Sequence, residues 1–279
     1  MKISKKSFVS RARLFFNGAL FALLFASFAV QSGAQTITKG TSSVGFDPNL
    51  GLTNWVAGGV NQLILESFYY NLNGGGASLL NNSSFQSVST GTHGSSPFLS
   101  AAYNLGVIVI TNSYTLSGGL NNQYTLTYAI TVKNVSGSSQ GINFYQYSDF
   151  NLGGATGSQN VTLTTTGPQD FANQTGGGVS LTDSEQGIGA GLTMGVQANN
   201  SGAPFGPLNG SSSALDNTTL TAAGNAVYAF EWDDLSLAAG SSFTISETQT
   251  ITVPEPSSVV LISSGMLALA FLRRRRRGA

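Results

Sequence analysis

Residues 123–134 read QYTLTYAITVKN. Tyr124, Leu126, Tyr128, Ile130 and Val132 take every second position, with Thr125, Thr127, Thr131 and Lys133 between them. Successive side chains of an extended chain point to opposite faces, so this spacing predicts a strand with one apolar and one hydroxyl-rich face. SSFTISETQTITV, residues 241–253, repeats the device. Phe243, Ile245 and Ile251 lie on one side of it, and Thr244, Ser246, Thr248 and Thr250 on the other.

Neighbouring segments extend the pattern. VNQLILESFYYNL (60–72), NLGVIVITNSYTL (104–116), GINFYQYSDFNL (141–152), VTLTT (161–165), AGLTMGVQA (190–198) and NAVYAFEWDD (225–234) are rich in Val, Ile, Thr, Tyr and Phe. Such residues suit a pleated, half-buried surface. Turn-forming clusters such as NGGG (73–76), SGGLNN (117–122) and NVSGSSQG (134–141) separate them. No window of the body has the period of an amphipathic helix. The expectation is an all-β body, an antiparallel β-sandwich, with a barrel as the runner-up. Residues 153–225 hold many Gly, Ser, Thr and Asn clusters, which predict short strands between long loops.

Charge is distributed very unevenly. The formal net charge is zero, but ten of the twelve cations lie at the two ends. Residues 35–253 hold two cations, Lys39 and Lys133, against eleven carboxylates, a net charge of −9. A body so poor in cations lacks the footprint of a nucleic-acid binder or of a protein docked on anionic lipid. Cysteine is absent, so no disulfide supports the fold and burial with hydrogen bonding must suffice.

The N-terminal residues 1–34 read as a secretory signal peptide. Lys2, Lys5, Lys6, Arg11 and Arg13 precede the apolar LFFNGALFALLFASFAV, and Ser32 and Ala34 fit the small-x-small rule before a cut between Ala34 and Gln35. At the other end, residues 253–279 read VPEPSSVVLISSGMLALAFLRRRRRGA. The apolar run 259–272 rises about 21 Å as a helix, short of a hydrocarbon core of about 30 Å. Arg273, Arg274, Arg275, Arg276 and Arg277 resist crossing the membrane, and Pro254 and Pro256 keep the preceding stretch extended. A short transmembrane helix with an accessible motif at its outer end is predicted.

Val253, Pro254, Glu255, Pro256 and Ser257, the apolar run and the arginine cluster together resemble the PEP-CTERM sorting signal of Gram-negative bacteria. The resemblance covers roughly 253–277. It implies that exosortase, a membrane-embedded transpeptidase-like enzyme, recognises Pro254-Glu255-Pro256 and removes the tail during export. It implies further partners in the secretion machinery, transient residence in the inner membrane, and a link to exopolysaccharide and biofilm matrix. Localisation at the cell surface or in the extracellular matrix follows.

Chemistry is thinly represented in the body, residues 35–252. The lone histidine, His93, sits in the loop-like GTHGSSP. GSSQG, residues 137–141, matches the form of a nucleophile elbow but lies between two strand patterns, where a hairpin turn is expected. Asp149, Glu231, Asp233 and Asp234 are the carboxylates grouped near aromatic residues. With Trp232, Tyr145 and Tyr147 they suggest glycan stacking, polysaccharide hydrolysis or a Ca²⁺ site. No spacing among them is diagnostic, so no catalytic residue, metal or cofactor is expected. The sequence reading is an exported, noncatalytic surface protein of structural or adhesive kind. A carbohydrate-binding module using Trp55 and Trp232 is the alternative, and a polysaccharide-active enzyme the third reading.

Overall fold

The computed structural model describes residues 33–254, apart from 156, 167–168, 189–192, 201–205 and 211–213. The expected signal-peptide helix and C-terminal membrane helix fall outside the described residues, as do Glu255, Pro256, Ser257 and Arg273 to Arg277. Among the described residues no helix is long and apolar enough to cross a membrane.

The chain forms strands β1 (Gln35–Lys39), β2 (Ser42–Asp47), β3 (Gly51–Ala57), β4 (Val60–Asn61), β5 (Leu63–Leu72), β6 (Ser78–Leu79), β7 (Phe85–His93), β8 (Ser96–Asn104) and β9 (Ile108–Gly118). There follow β10 (Gln123–Asn134), β11 (Gln140–Phe150), β12 (Gln159–Thr166), β13 (Gln169–Gly176), β14 (Val179–Ile188), β15 (Thr193–Asn199), β16 (Thr221–Gly224), β17 (Val227–Leu237) and β18 (Ser242–Thr252). Among the described residues they build two nine-stranded antiparallel sheets. The first runs β1-β2-β3-β5-β11-β17-β15, with β4 on β3 and β6 on β5; the second runs β16-β12-β13-β14-β18-β10-β9-β8-β7.

The alternation of the 123–134 segment is realised in β10. Tyr124, Leu126, Tyr128, Ile130 and Val132 are buried, while Thr127 and Lys133 are exposed. β10 lies between β9 and β18, pairing Tyr128 with Tyr114 on one side and Glu247 on the other. Threonine pairs span the outer face, with Thr125 and Thr250 hydroxyls 3.2 Å apart. The inner faces of both sheets share one apolar cluster, in which Phe46 of the first sheet meets Tyr114 of the second at a ring separation of 6.3 Å. A second, smaller cluster lies on the outer face of the first sheet, where Tyr145, Tyr147, Val227 and Ala229 are covered by Ala77, Leu208 and Leu215.

Two expectations change. Most of residues 159–188 falls into three consecutive paired strands, β12, β13 and β14, rather than into long loops. Alternation persists there in a polar alphabet: Gln159, Val161 and Leu163 are buried, and Asn160, Thr162 and Thr164 exposed. The 137–141 segment links β10 to β11, which belong to different sheets, so it is a crossover and not a hairpin.

Candidate functional site

Strict alternation carries polar residues into the interior. On β18 the inward set is Phe243, Ile245, Glu247, Gln249 and Ile251; on β14 it is Val179, Leu181, Asp183 and Glu185. Strand register places Asp170 opposite Glu185, Glu185 opposite Glu247, and Glu247 opposite Tyr128, forming one row across four neighbouring strands. In the adjacent row Asp183 faces Gln249. Glu66, Gln146, Ser148 and Tyr228 project from the facing sheet, and all these polar residues are buried.

A hydrogen-bond network joins the two sheets. Gln249 Nε2 lies 2.6 Å from Glu66 Oε2, 2.6 Å from Glu247 Oε1 and 3.1 Å from Asp183 Oδ2. An amide nitrogen has two hydrogens, so it cannot satisfy three carboxylates at once. Gln146 Nε2 donates to Glu247 Oε1 at 2.8 Å, and the Tyr228 hydroxyl donates to Asp183 Oδ2 at 2.7 Å. Tyr128 donates to Gln249 Oε1 at 2.7 Å, which fixes the amide's orientation. Both oxygens of Glu185, Glu66 Oε1, Asp183 Oδ1, Glu247 Oε2 and Gln146 Oε1 receive no donor.

Like charges directly across a sheet repel, and an isolated buried carboxylate is costly. Burial, followed by the charge of Asp183, pushes Glu66 up to about 8. Burial pushes Asp183 up to about 7. Glu185 and Glu247 stand well above the usual carboxylate range, through burial and then Asp183. Asp170, lifted to about 6 by burial, ends the row. The two lysines among the described residues lie elsewhere: Lys39 donates to the Ser95 carbonyl, and Lys133 is exposed on the outer face of β10. The cluster is sealed between the sheets, so it offers no surface to a sugar or a polymer.

The residues singled out from the sequence are dispersed. Trp232 is 0 % exposed and packs between the sheets against Phe144 and Phe230. Trp55 is likewise buried, donating from its indole nitrogen to Ser42 Oγ at 3.1 Å. Neither indole presents a face to a ligand. Glu231 is buried on the outer side of the first sheet and accepts from the Leu215 amide at 2.6 Å and Asn143 Nδ2 at 3.2 Å. It thereby ties down the segment covering Tyr145. Asp233 is half-buried, its backbone opposite Asn143; Asp234 is placed through its backbone alone, opposite Ile142. Asp149 shares the outer face with Tyr147 and Tyr145, but it lies four residues along β11 from the Tyr145–Glu231 pair, roughly 13 Å at strand rise. Asp149, Glu231 and Asp233 therefore lie along one face of the sheet without forming one site. His93 ends β7 and stacks on Phe98 at a ring separation of 4.3 Å.

Glu66, Asp183, Glu185, Glu247 and Gln249 were absent from the sequence-based site. Their signal is the replacement of apolar residues at inward positions of otherwise regular strands, Ile245-x-Glu247-x-Gln249-x-Ile251 and Leu181-x-Asp183-x-Glu185.

No curated protein matches the chain. Among solved structures, the fold is similar to a bacterial glucoamylase complexed with acarbose, with TM-score 0.56, 12% identity, and coverage of 82% of this chain and 33% of that one. This chain thus spans about a third of that protein's length. A galactose mutarotase-like protein from Lactobacillus casei gives TM-score 0.44 and 11% identity over 78% of this chain and 100% of that one. At 12% identity the likeness to the glucoamylase is one of fold alone. A family-model match begins on Thr252, the last residue of β18: over residues 252–277 the chain carries the PEP-CTERM protein-sorting motif.

Proposed function

We propose that this protein is exported, processed by exosortase at its C-terminal signal, and delivered to the cell surface or extracellular matrix. There its β-sandwich body serves as a noncatalytic structural or adhesive component. The observation that carries this reading is the PEP-CTERM motif at residues 252–277. Its position supports processing at the edge of the folded body. β18 ends at Thr252, Val253 still donates its amide to the Asn122 carbonyl at 3.0 Å, and Pro254 is exposed. A noncatalytic role is supported by the sealed carboxylate cluster and by the separation of Asp149 from Glu231.

Replacing Pro254-Glu255-Pro256 with three alanines tests the reading. Full-length protein should accumulate in the inner membrane while wild type reaches the surface. Surface delivery and trimming of the variant at the wild-type level would contradict it. Deletion of the gene should weaken cell aggregation or matrix cohesion.

A second reading is a carbohydrate-binding module, favoured by the sandwich fold shared with an acarbose-complexed glucoamylase. Buried Trp55 and Trp232 weigh against it, because sugar stacking needs an exposed ring. A glycan array probed with the protein separates the two: selective retention of one glycan class favours binding, and uniform absence of retention favours the structural role.

A further inference from the structure

Four carboxylates, those of Glu66, Asp183, Glu185 and Glu247, meet in the interior with no lysine, arginine or histidine among their partners. Asp183, Glu185 and Glu247 each direct one oxygen into a group whose members all lie within 4.8 Å of one another. An ion with metal–oxygen distances of about 2.3–2.6 Å spans about 4.6–5.2 Å between opposite ligands, which matches this spread. A second observation is independent of that trio. Gln146 and Glu66 enter from the facing sheet, are 0 % exposed, and each leaves one oxygen, Gln146 Oε1 and Glu66 Oε1, with no donor. Both side chains are directed at the trio, since Gln146 Nε2 bonds Glu247 and Glu66 Oε2 shares the Gln249 amide with Asp183 and Glu247. Together with the vacant oxygens of the trio, the site offers a set of hard oxygen acceptors from both sheets.

We propose that Asp183, Glu185 and Glu247, with Glu66 and Gln146 facing them, form a structural site for one calcium ion between the two sheets. Carboxylate and amide oxygens, with no nitrogen or sulfur ligand, suit a hard cation rather than a transition metal. Multiple anionic ligands favour a divalent ion, and the spread of the oxygens suits calcium better than magnesium, which demands distances of about 2.0–2.1 Å and retains water. The ion answers the repulsion across the Glu185–Glu247 pair and clamps β14 and β18 of one sheet to β5 and β11 of the other. Because the site is enclosed, capture belongs to folding, and exchange from the native protein should be slow.

The test uses the full chain in mild detergent, unfolded in urea with EDTA, desalted, and refolded with EDTA, Ca²⁺ or Mg²⁺. Refolding with Ca²⁺ should leave one ion per chain by plasma mass spectrometry and raise the melting temperature several degrees above the EDTA sample. The Mg²⁺ sample should fall below the Ca²⁺ sample. Glu185→Gln and Glu247→Gln should each weaken Ca²⁺ binding at least about tenfold and erase the calcium-dependent shift. Should either variant misfold, the wild-type comparison decides by itself: equal melting in Ca²⁺ and EDTA with only trace metal retained overturns the proposal. Undiminished Ca²⁺ in both folded variants places the ion elsewhere and overturns it too. Tighter retention of Mg²⁺ than of Ca²⁺ overturns the choice of ion.

Discussion

Asp149 sits half-buried on the outer face of the first sheet beside Tyr147, and burial lifts its carboxyl to about 6. An unfolded aspartate titrates near 3.9. Between these values the native state holds the proton more tightly than the unfolded chain. The stabilising contribution is therefore complete below about pH 4 and lost as pH rises towards 6. Asp149→Asn removes the titration while keeping the shape. Its melting temperature relative to wild type should be higher at pH 7 than at pH 4, by a few degrees at most because the site is partly solvated. A difference that does not change with pH would show that Asp149 is not held in this way. At this scale the sequence is legible only when sidedness is respected. EWDD places acids and a tryptophan side by side in the chain, yet a period of two sends Trp232 inward with Tyr228 and Phe230 and leaves Glu231 outward. Proximity along the chain was misleading because neighbours in a strand do not share a face.

Strand faces were readable where alternation was apolar, as in β10, where the five apolar positions of 123–134 are all buried. They were less readable where the inward set changes chemistry. In β18 the apolar positions Phe243, Ile245 and Ile251 mark the face correctly, and Glu247 and Gln249 belong to it by spacing despite their polarity. β14 hid Asp183 and Glu185 in the same way. Strand partners are a different matter. β18 pairs with β10 across more than a hundred residues, and alternation states which side chains share a face but not which strand lies alongside. Turn glycines also act at the level of the strand. Gly51 opens β3 with φ at +96°, and a Cβ there would collide with the backbone carbonyl of Glu66 on β5. Gly51→Ala should therefore cost more than about 1 kcal/mol, read as a lower urea midpoint with an unchanged slope. An unchanged midpoint would mean that the β3–β5 contact opens without penalty.

Taken as one molecule, the chain joins a folded acidic body to two terminal segments of opposite character. Lys39 and Lys133 are the only cations in residues 35–253, so this stretch is strongly acidic although the whole chain is formally neutral. The sorting motif begins where β18 ends, leaving almost no linker between the last strand and the motif. The C-terminal sorting signal was legible because it depends on local order: charge, apolar length and proline placement. The role of the body was less so, since its interior chemistry arises from residues of β5, β11, β14 and β18 that only the fold assembles. The most direct measurement is the intact mass of the protein extracted from the surface of a host that carries exosortase. The mass should correspond to a chain that has lost Arg273 to Arg277, with the body retained from its N-terminal strand to β18. Recovery of a surface species still ending at Ala279 would contradict processing and make the C-terminal segment a permanent anchor.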